Sequence, residues 1–149
     1  MKIDGIDKKI IRGLIKDART PILSIAREAG VSGAAIHQRL RKLEKAKLID
    51  GYQMRINHQS LGYSRTAFIG IYLDTDTLLP SVIKRLKDIT EVLECHYTTG
   101  NFTIFIKVIC KNDQDLMNLL ETKIKTIKGV SKIETFLSLN QQIDRQFYI

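Results

Sequence analysis

The sequence has little of what membrane-spanning, disulfide-bonded or disordered proteins need. It has two cysteines and two prolines in 149 residues and no stretch of low complexity. No apolar run approaches the roughly 20 residues that span a bilayer, and the start of the chain is charged throughout. Cys95 and Cys110 lack the C-x-x-C spacing of metal or redox sites, so we expect reduced, packed thiols, no metal and no cofactor. We therefore expect an ordered cytoplasmic protein that does not use a membrane.

Catalytic groups are also scarce. The three histidines, His37, His58 and His96, fall in different predicted elements. None has a nucleophile, a base or a charge-stabilising group at a telling spacing. We therefore expect that the protein is not an enzyme.

Positive charge is concentrated in the first third of the chain. The formal net charge is +8, and residues 1–50 hold twelve Lys and Arg against six Asp and Glu, whereas residues 51–149 hold twelve against ten. A small region with this excess is a candidate surface for a polyanion, because neutralising phosphates releases condensed counterions.

Three short helices are predicted in this basic region. The first begins near Asp4, because Asp4 and Asp7 place acidic oxygens where the first turn has free N–H groups. Pro21 is suited to open a second helix, which Gly30 ends in a left-handed turn. Ser32 can cap a third helix.

The order helix, glycine turn, helix is that of a helix-turn-helix. Ala26 is the small residue required where the helices cross, and Ile36 begins the buried stripe of the third helix. The opposite face suits a DNA major groove, since Gln38 and Arg41 can pair with base edges while alanines permit close approach. Lysines nearby, including Lys47, are better placed for phosphates. The predicted DNA-binding residues are Ser32, Ala34, Ala35, His37, Gln38, Arg39, Arg41, Lys42 and Lys45.

Arg39 has an ambiguous position within that set. It projects about 60° from the centre of the buried stripe, so an inter-helix brace or a phosphate contact suits it better than reading a base. The charged face as a whole also has a plainer interpretation, since such a face is usually only solvated.

The remainder of the chain is predicted to repeat a β-α-β unit. The segment from Leu48 to Asn57 is strand-like, and Gly62 marks the passage to a new domain, so we predict domains of residues 1–60 and 61–149. Periodicity predicts, in order, a strand at Thr66 to Leu73, a helix at Leu78 to Ile89, strands at Val92 to Thr99 and Phe102 to Cys110, a helix at Asp113 to Lys128 and a strand at Val130 to Leu139.

The predicted fold class is therefore α+β. A winged-type helix-turn-helix domain precedes a ferredoxin-like, or ACT-like, βαββαβ domain. Such a domain has both helices on one face of its sheet. The strand from Ala67 to Tyr72 is apolar on both sides, so we expect a second copy of the chain to cover the open face.

Short segments along nearly the whole chain match one known pattern. In the N-terminal part they are Ile3 to Ile11, Asp17 to Arg19, Ile25-Ala26, Gly30 to Ser32, Arg39 to Glu44 and Ile49 to Tyr52. In the C-terminal part they are Leu61-Gly62, Ala67-Phe68, Val92 to Gly100, Gly129-Val130 and Thr135. Through these segments the chain resembles the Lrp/AsnC, or feast/famine, family of transcription regulators.

The resemblance implies a sequence-specific DNA-binding transcription regulator. Members of this family form homodimers that assemble further, often to an octamer. They bind double-stranded operator DNA through the third helix and respond to an amino acid held between dimers. The implied effector-binding residues here are Thr99, Gly100, Asn101, Phe102 and Thr103.

The implied effector loop departs from the family pattern. The family typically has Gly-Asp-x-Asp, whereas this chain has Gly100-Asn101-Phe102-Thr103. A carboxylate would hold the ammonium of an amino acid through charge-assisted hydrogen bonds, which neutral side chains cannot match. Three alternatives stay open: an amino acid held by backbone carbonyls and other side chains, a different ligand, or a domain kept only for assembly.

Two rival functions also stay open. A module that binds an amino acid and regulates another protein would keep the C-terminal fold without using the third helix. An RNA-binding protein would need aromatic residues in a basic setting on its strands. We instead expect Phe102 and Phe105 to be core residues.

Overall fold

The computed structural model describes residues 2–149, which form two compact units. Unit 1 runs up to Arg55 and also includes Ile143–Ile149, and unit 2 is Ile56–Gln142. This division differs from the expected one in two places. Residues 56–60 lie in unit 2, and the end of the chain, which we assigned to the second domain, lies in unit 1.

Unit 1 is built from three helices, α1 (Gly5–Lys16), α2 (Ile22–Ala29) and α3 (Gly33–Lys45). Asp4 and Asp7 form a reciprocal capping box at the start of α1, and the Ser32 hydroxyl accepts the N–H of Ala35 at 3.2 Å at the start of α3. Gly30 ends α2 with a left-handed φ of 69°. The predicted helix starts and the glycine turn are therefore confirmed. The core comprises Ile10, Ile25, Ala26, Ile36 and Leu43.

The end of the chain belongs to unit 1 because arginines hold it there. Arg12 Nε donates to the carbonyl oxygen of Ile149 at 2.5 Å, and its guanidinium lies 5.4 Å from the ring centroid of Tyr148. Arg55 forms an ion pair with Asp144. These contacts join residues far apart in sequence, so local patterns do not reveal them.

The strand predicted from Leu48 to Asn57 is wrong. The segment is irregular, and the described part of unit 1 contains no strand that could serve as a wing. A strand needs backbone hydrogen bonds to a neighbouring strand, and this segment has none in the structure. Its beginning is held on α3, because the Tyr52 hydroxyl donates to Glu44 Oε1 at 2.9 Å.

Unit 2 is the predicted βαββαβ domain. Its elements are β1 (Arg65–Leu73), α4 (Leu79–Lys87), β2 (Val92–Tyr97), β3 (Ile104–Cys110), α5 (Asp113–Asn118), which continues as a π-helical segment (Leu119–Ile124), and β4 (Val130–Leu137). The four strands are antiparallel in the order β2-β3-β1-β4. This order is that of the ferredoxin-like fold, so the predicted fold class is confirmed.

The sheet of unit 2 has a helix-covered face and an open face. The helix-covered face buries alternate residues of the central strands, including Ala67, Ile69, Ile71, Ile104, Ile106 and Val108. The open face carries five aromatic rings, those of Phe68, Tyr72, Phe102, Phe105 and Phe136. The prediction that Phe102 and Phe105 are core residues is therefore corrected. They are half-buried on the open face, because residue 105 alternates with Ile104 and Ile106 along β3.

The two cysteines differ in their surroundings. Cys110 is buried at the end of β3, and burial raises the pKa of its thiol to about 11. Cys95 is exposed, because it lies on the edge strand β2, so the expectation of a packed thiol is wrong there. Between residues 2 and 149 the structure shows no group of His, Cys, Asp or Glu placed to bind a metal. None of the helices in that range could cross a membrane.

The turn between α2 and α3 supplies a stability prediction. A Cβ at Gly30 meets nothing within 4 Å, so Gly30→Ala tests the left-handed backbone alone. We expect the free energy of unfolding to fall by about 1 kcal/mol, since an L-side chain disfavours this conformation. Gly51→Ala is the control, because Gly51 has equally open space without a positive φ. Equal effects of the two variants in urea unfolding would contradict the prediction.

Candidate nucleic-acid interface and candidate effector loop

The outer face of α3, defined as Ala34, Gln38, Arg41 and Lys45, is exposed along its whole length. Ile36 and Leu43 are fully buried on the opposite side, so packing fixes which face points outward. The flanking residues His37 and Lys42 are exposed, Ala35 is half-buried, and the exposed Ser32 uses its hydroxyl to cap the helix. The structure therefore brings most of the predicted DNA-binding residues together on one surface.

Arg39 is the exception within that predicted set. Its Nη1 donates to Asp4 Oδ2 at 2.6 Å and to Asp7 Oδ1 at 2.9 Å, which ties α3 to the start of α1. Asp7 is buried, so the guanidinium also neutralises a charge that would be costly alone. Of the roles considered from the sequence, the inter-helix brace is the one observed. We remove Arg39 from the DNA-binding set.

The electrostatics of this brace follow from its hydrogen bonds. The N–H of Asp7 and then the Arg39 guanidinium lower the pKa of the Asp4 carboxyl below its ordinary value of 3.8. The carboxylates of Asp4 and Asp7 in turn raise the pKa of Arg39. The Asp4 and Arg39 members of the brace are therefore charged at neutral pH.

The residues just after α3 include an unusual backbone conformation. Lys47 has φ 57° and is the sole non-glycine residue with positive φ among residues 2–149. A left-handed conformation costs a lysine about 1 kcal/mol or more. Lys42, Lys45 and Lys47 are all exposed around this end of the helix. The sequence predicted phosphate contacts for these lysines, and the structure gives them the access that such contacts need.

The candidate effector loop, residues 99–103, connects β2 to β3. Gly100 has a φ of 116°, which an L-side chain rarely adopts. Thr98 closes the loop, because its N–H donates to the Thr103 carbonyl at 3.0 Å and its hydroxyl donates to the Phe102 carbonyl at 2.7 Å. The N–H of Thr103 donates to the Ile71 carbonyl at 3.1 Å, which fastens the loop to β1.

The loop residues divide into two groups. Thr99, Gly100 and Asn101 are exposed, whereas Phe102 and Thr103 are half-buried. The exposed group offers a hydroxyl, a carboxamide and backbone groups, so it can hold a polar ligand through uncharged hydrogen bonds.

Phe102 is turned away from the exposed part of the loop. Its ring centroid lies 5.5 Å from that of Phe105 and 5.7 Å from that of Tyr72. The ring also covers Gly70, where a Cβ would lie 2.3 Å from Phe102 Cδ1. This contact was not predicted from the sequence. Its signal was a glycine in the middle of a strand, which often marks a close approach by another group.

Comparison with known proteins agrees with both units. Residues 3–44 match the family model of the AsnC-type helix-turn-helix domain, and residues 66–146 match that of the Lrp/AsnC ligand binding domain. The chain is 41% identical to the regulatory protein AsnC of Haemophilus influenzae, over 96% of this chain and 95% of the relative.

Solved structures give the same result. The structure of Escherichia coli AsnC superposes with a TM-score of 0.94 at 37% identity, covering 99% of each chain. A feast or famine regulatory protein from M. tuberculosis, complexed with L-methionine, superposes with a TM-score of 0.90 at 30% identity, covering 99% of this chain and all of that one (100%).

The Asp4 carboxyl gives the brace a pH dependence. Because its pKa is lowered in the folded state, its contribution to stability is present above the ordinary value of 3.8 and is lost as pH falls through the lowered pKa. Asp4→Asn keeps an N-capping oxygen but removes the charge beside Arg39. We expect the variant to be less stable than the wild type at pH 7 and the difference to vanish in acid.

Urea unfolding of wild type and variant across that pH range checks the prediction. Asp50→Asn, which removes an exposed carboxylate after α3, is the control. A wild-type advantage over Asp4→Asn that stays constant down to the lowest pH would show that the charge plays no part.

Proposed function

The chain belongs to the Lrp/AsnC family of DNA-binding transcription regulators, and from that premise we propose how its own residues act. In this proposal the chain works in the cytoplasm as a homodimer. The outer faces of two α3 helices contact operator DNA, and the loop 99–103 binds an amino acid that modulates this binding. The observation that carries the proposal is the exposed outer face of α3, which takes no part in the ion pairs by which Arg39 holds the helix in place.

Specificity in this proposal comes from Gln38 and Arg41. The two side chains lie about one turn apart on the exposed face, so both can reach base edges in one major groove. Ala34 adds no bulk and lets the helix approach closely. Ser32, at the positive end of α3, suits a phosphate.

Affinity in this proposal comes from positive charge around the same helix. The exposed Lys42, Lys45 and Lys47 lie in or just after its C-terminal half and can contact phosphates beside the groove. The exposed His37 can contact a phosphate through a hydrogen bond. In a homodimer, two such helices would enter successive major grooves about one helical turn apart.

The open face of unit 2 supports self-association. Its five aromatic rings contact one another, with Phe68 stacked on Phe105 at 5.8 Å and Phe105 on Phe102 at 5.5 Å, while Tyr72 and Phe136 meet Phe102 edge-on. The edge of this face pairs Lys107 with Glu94 and Lys132 with Glu134. Both signs of charge suit an identical surface related by a two-fold axis better than a polyanion. We therefore assign this face to a second copy, and further assembly of dimers to an octamer is proposed from family membership.

An amino-acid effector is supported by the M. tuberculosis relative that was solved with L-methionine. In this chain the loop would hold the ammonium group through uncharged oxygens, including the Asn101 carboxamide and backbone carbonyls. Of the alternatives left open by the sequence, we therefore favour an amino acid held without a carboxylate.

Two substitutions that keep the net charge test the DNA contacts. Gln38→Ala and Arg41→Lys each remove a bidentate partner, since lysine cannot reproduce the guanidinium fork. On a DNA site selected by the protein from a random library, each is expected to weaken binding about tenfold or more. Binding to unrelated DNA should change little, because the charge is retained.

Arg85→Lys is the matched control, since Arg85 is an exposed arginine on α4 of unit 2. Fluorescence anisotropy at two salt concentrations separates the specific and electrostatic parts of binding. Unchanged affinity of both α3 variants for the selected site would reject base contact by α3.

Restoring one carboxylate tests the effector loop. Asn101→Asp supplies a charged acceptor for an ammonium group, so we expect about tenfold tighter binding of the preferred amino acid. Calorimetric titration with L-methionine and a panel of other free amino acids measures the change. Asn140→Asp, the same substitution at an exposed site, is the control. Equal or weaker binding by Asn101→Asp would show that the ammonium lies elsewhere.

A further inference from the structure

Phe102 belongs to two features of unit 2 at once. Its backbone is part of the loop 99–103, where its carbonyl accepts the Thr98 hydroxyl at 2.7 Å. Its ring is part of the open face, within 6.3 Å of the ring of Phe136 as well as near Phe105 and Tyr72. No other residue of that loop contributes a ring to the open face.

The position of the ring is set by the absence of a side chain at Gly70. Three atoms of the Phe102 ring lie 2.3 to 2.6 Å from where a Cβ of residue 70 would be. Gly70 lies in the centre of β1 and has no positive φ, so alanine would fit its backbone but not the space beneath the ring. The glycine therefore serves the packing of Phe102 and not a turn.

The loop and the ring are connected through the backbone of Phe102. The N–H of Thr103 is bonded to the Ile71 carbonyl, beside Gly70 in β1. A displacement of the ring that also moves the Phe102 backbone would strain that bond and the bond between Thr98 and the Phe102 carbonyl. Conversely, a change in the loop backbone would lift the ring from the face.

We propose that Phe102 is a positioning residue that couples order in the loop 99–103 to packing of a second copy on the open face. Association buries the ring over Gly70 and fixes the loop backbone. A ligand that shifts the loop then changes the association constant, and by thermodynamic reciprocity association changes ligand affinity. This inference rests on the proposed self-association and effector role.

A double-mutant cycle tests the coupling without an effector. Phe102→Ala removes the ring, Gly70→Ala expels it by steric overlap, and in the double variant the added methyl group has nothing to expel. We expect each single variant to weaken self-association about tenfold or more, and the second substitution to add little in the double variant. Sedimentation equilibrium measures association, and Met117→Ala, at an exposed apolar residue of α5, is the control.

Hydrogen exchange of the loop amides measures a quantity that would not depend on association if Phe102 had only a structural role. We expect exchange at residues 101–103 to slow as wild-type concentration rises through the dissociation constant, and both single variants to abolish that dependence. If the wild type does not dissociate on dilution, Phe68→Lys breaks the open face outside the loop and should release the same amides. The proposal is overturned if the exchange rate of the loop amides does not depend on association. It is also overturned if the association constant does not change in Phe102→Ala.

Failure of this proposal is distinguishable from failure of the proposed function. A chain that stays monomeric yet selects one DNA sequence would overturn the coupling and keep α3 as the DNA-binding element. A chain that selects no DNA sequence, but still associates and shows concentration-dependent loop exchange, would overturn α3 as the DNA-binding element and keep the coupling. Binding of single-stranded RNA to the open face, abolished by Phe68→Lys, would also reject the second copy as its occupant.

Discussion

A single layer of helices can cover only one face of a four-stranded sheet, and the other features of unit 2 depend on this constraint. The helix-covered face buries aliphatic side chains, whereas the open face holds aromatic rings that cover one another only partly. Leaving such an apolar surface exposed to water is unfavourable in free energy. An interface at this face would account for the rings, their charged edge and the glycine beneath Phe102. The loop 99–103 would then lie where that interface could influence it.

Unit 1 is under a different constraint, because it holds the short helix α3 in place while one side of that helix stays exposed. A small core of five buried residues sets which side of α3 faces inward, and the Arg39 guanidinium adds a directional bond to α1. Its partners are the same carboxylates that cap α1, so one pair of acidic residues starts one helix and orients another. The outer face of α3 takes no part in this bond and stays exposed.

The sequence was sufficient for features whose causes are local. Asp4 with Asp7, Gly30 and Ser32 mark helix ends through backbone chemistry, and short runs of β-favouring residues identified the strands of unit 2. It failed where the cause lies far away in the chain. The segment after Ile49 has strand-like residues but no partner strand. The ring of Phe102, which comes from the loop before β3, could be placed only once Gly70 was known to lie beneath it. Arg39 was intermediate, because helix geometry gave its direction but not the carboxylates that it meets.

The return of the chain to unit 1 has a consequence for where the molecule can be divided. Unit 2 is an insertion within unit 1, and the chain passes between the two units at residues 55–56 and again at 142–143. Arg55 and Asp144, one beside each connection, are joined by an ion pair. The two ends of unit 1 at which the chain leaves and returns are therefore bonded to each other within that unit. A fragment cut off after residue 55 would lose this second connection along with the segment that packs against Arg12.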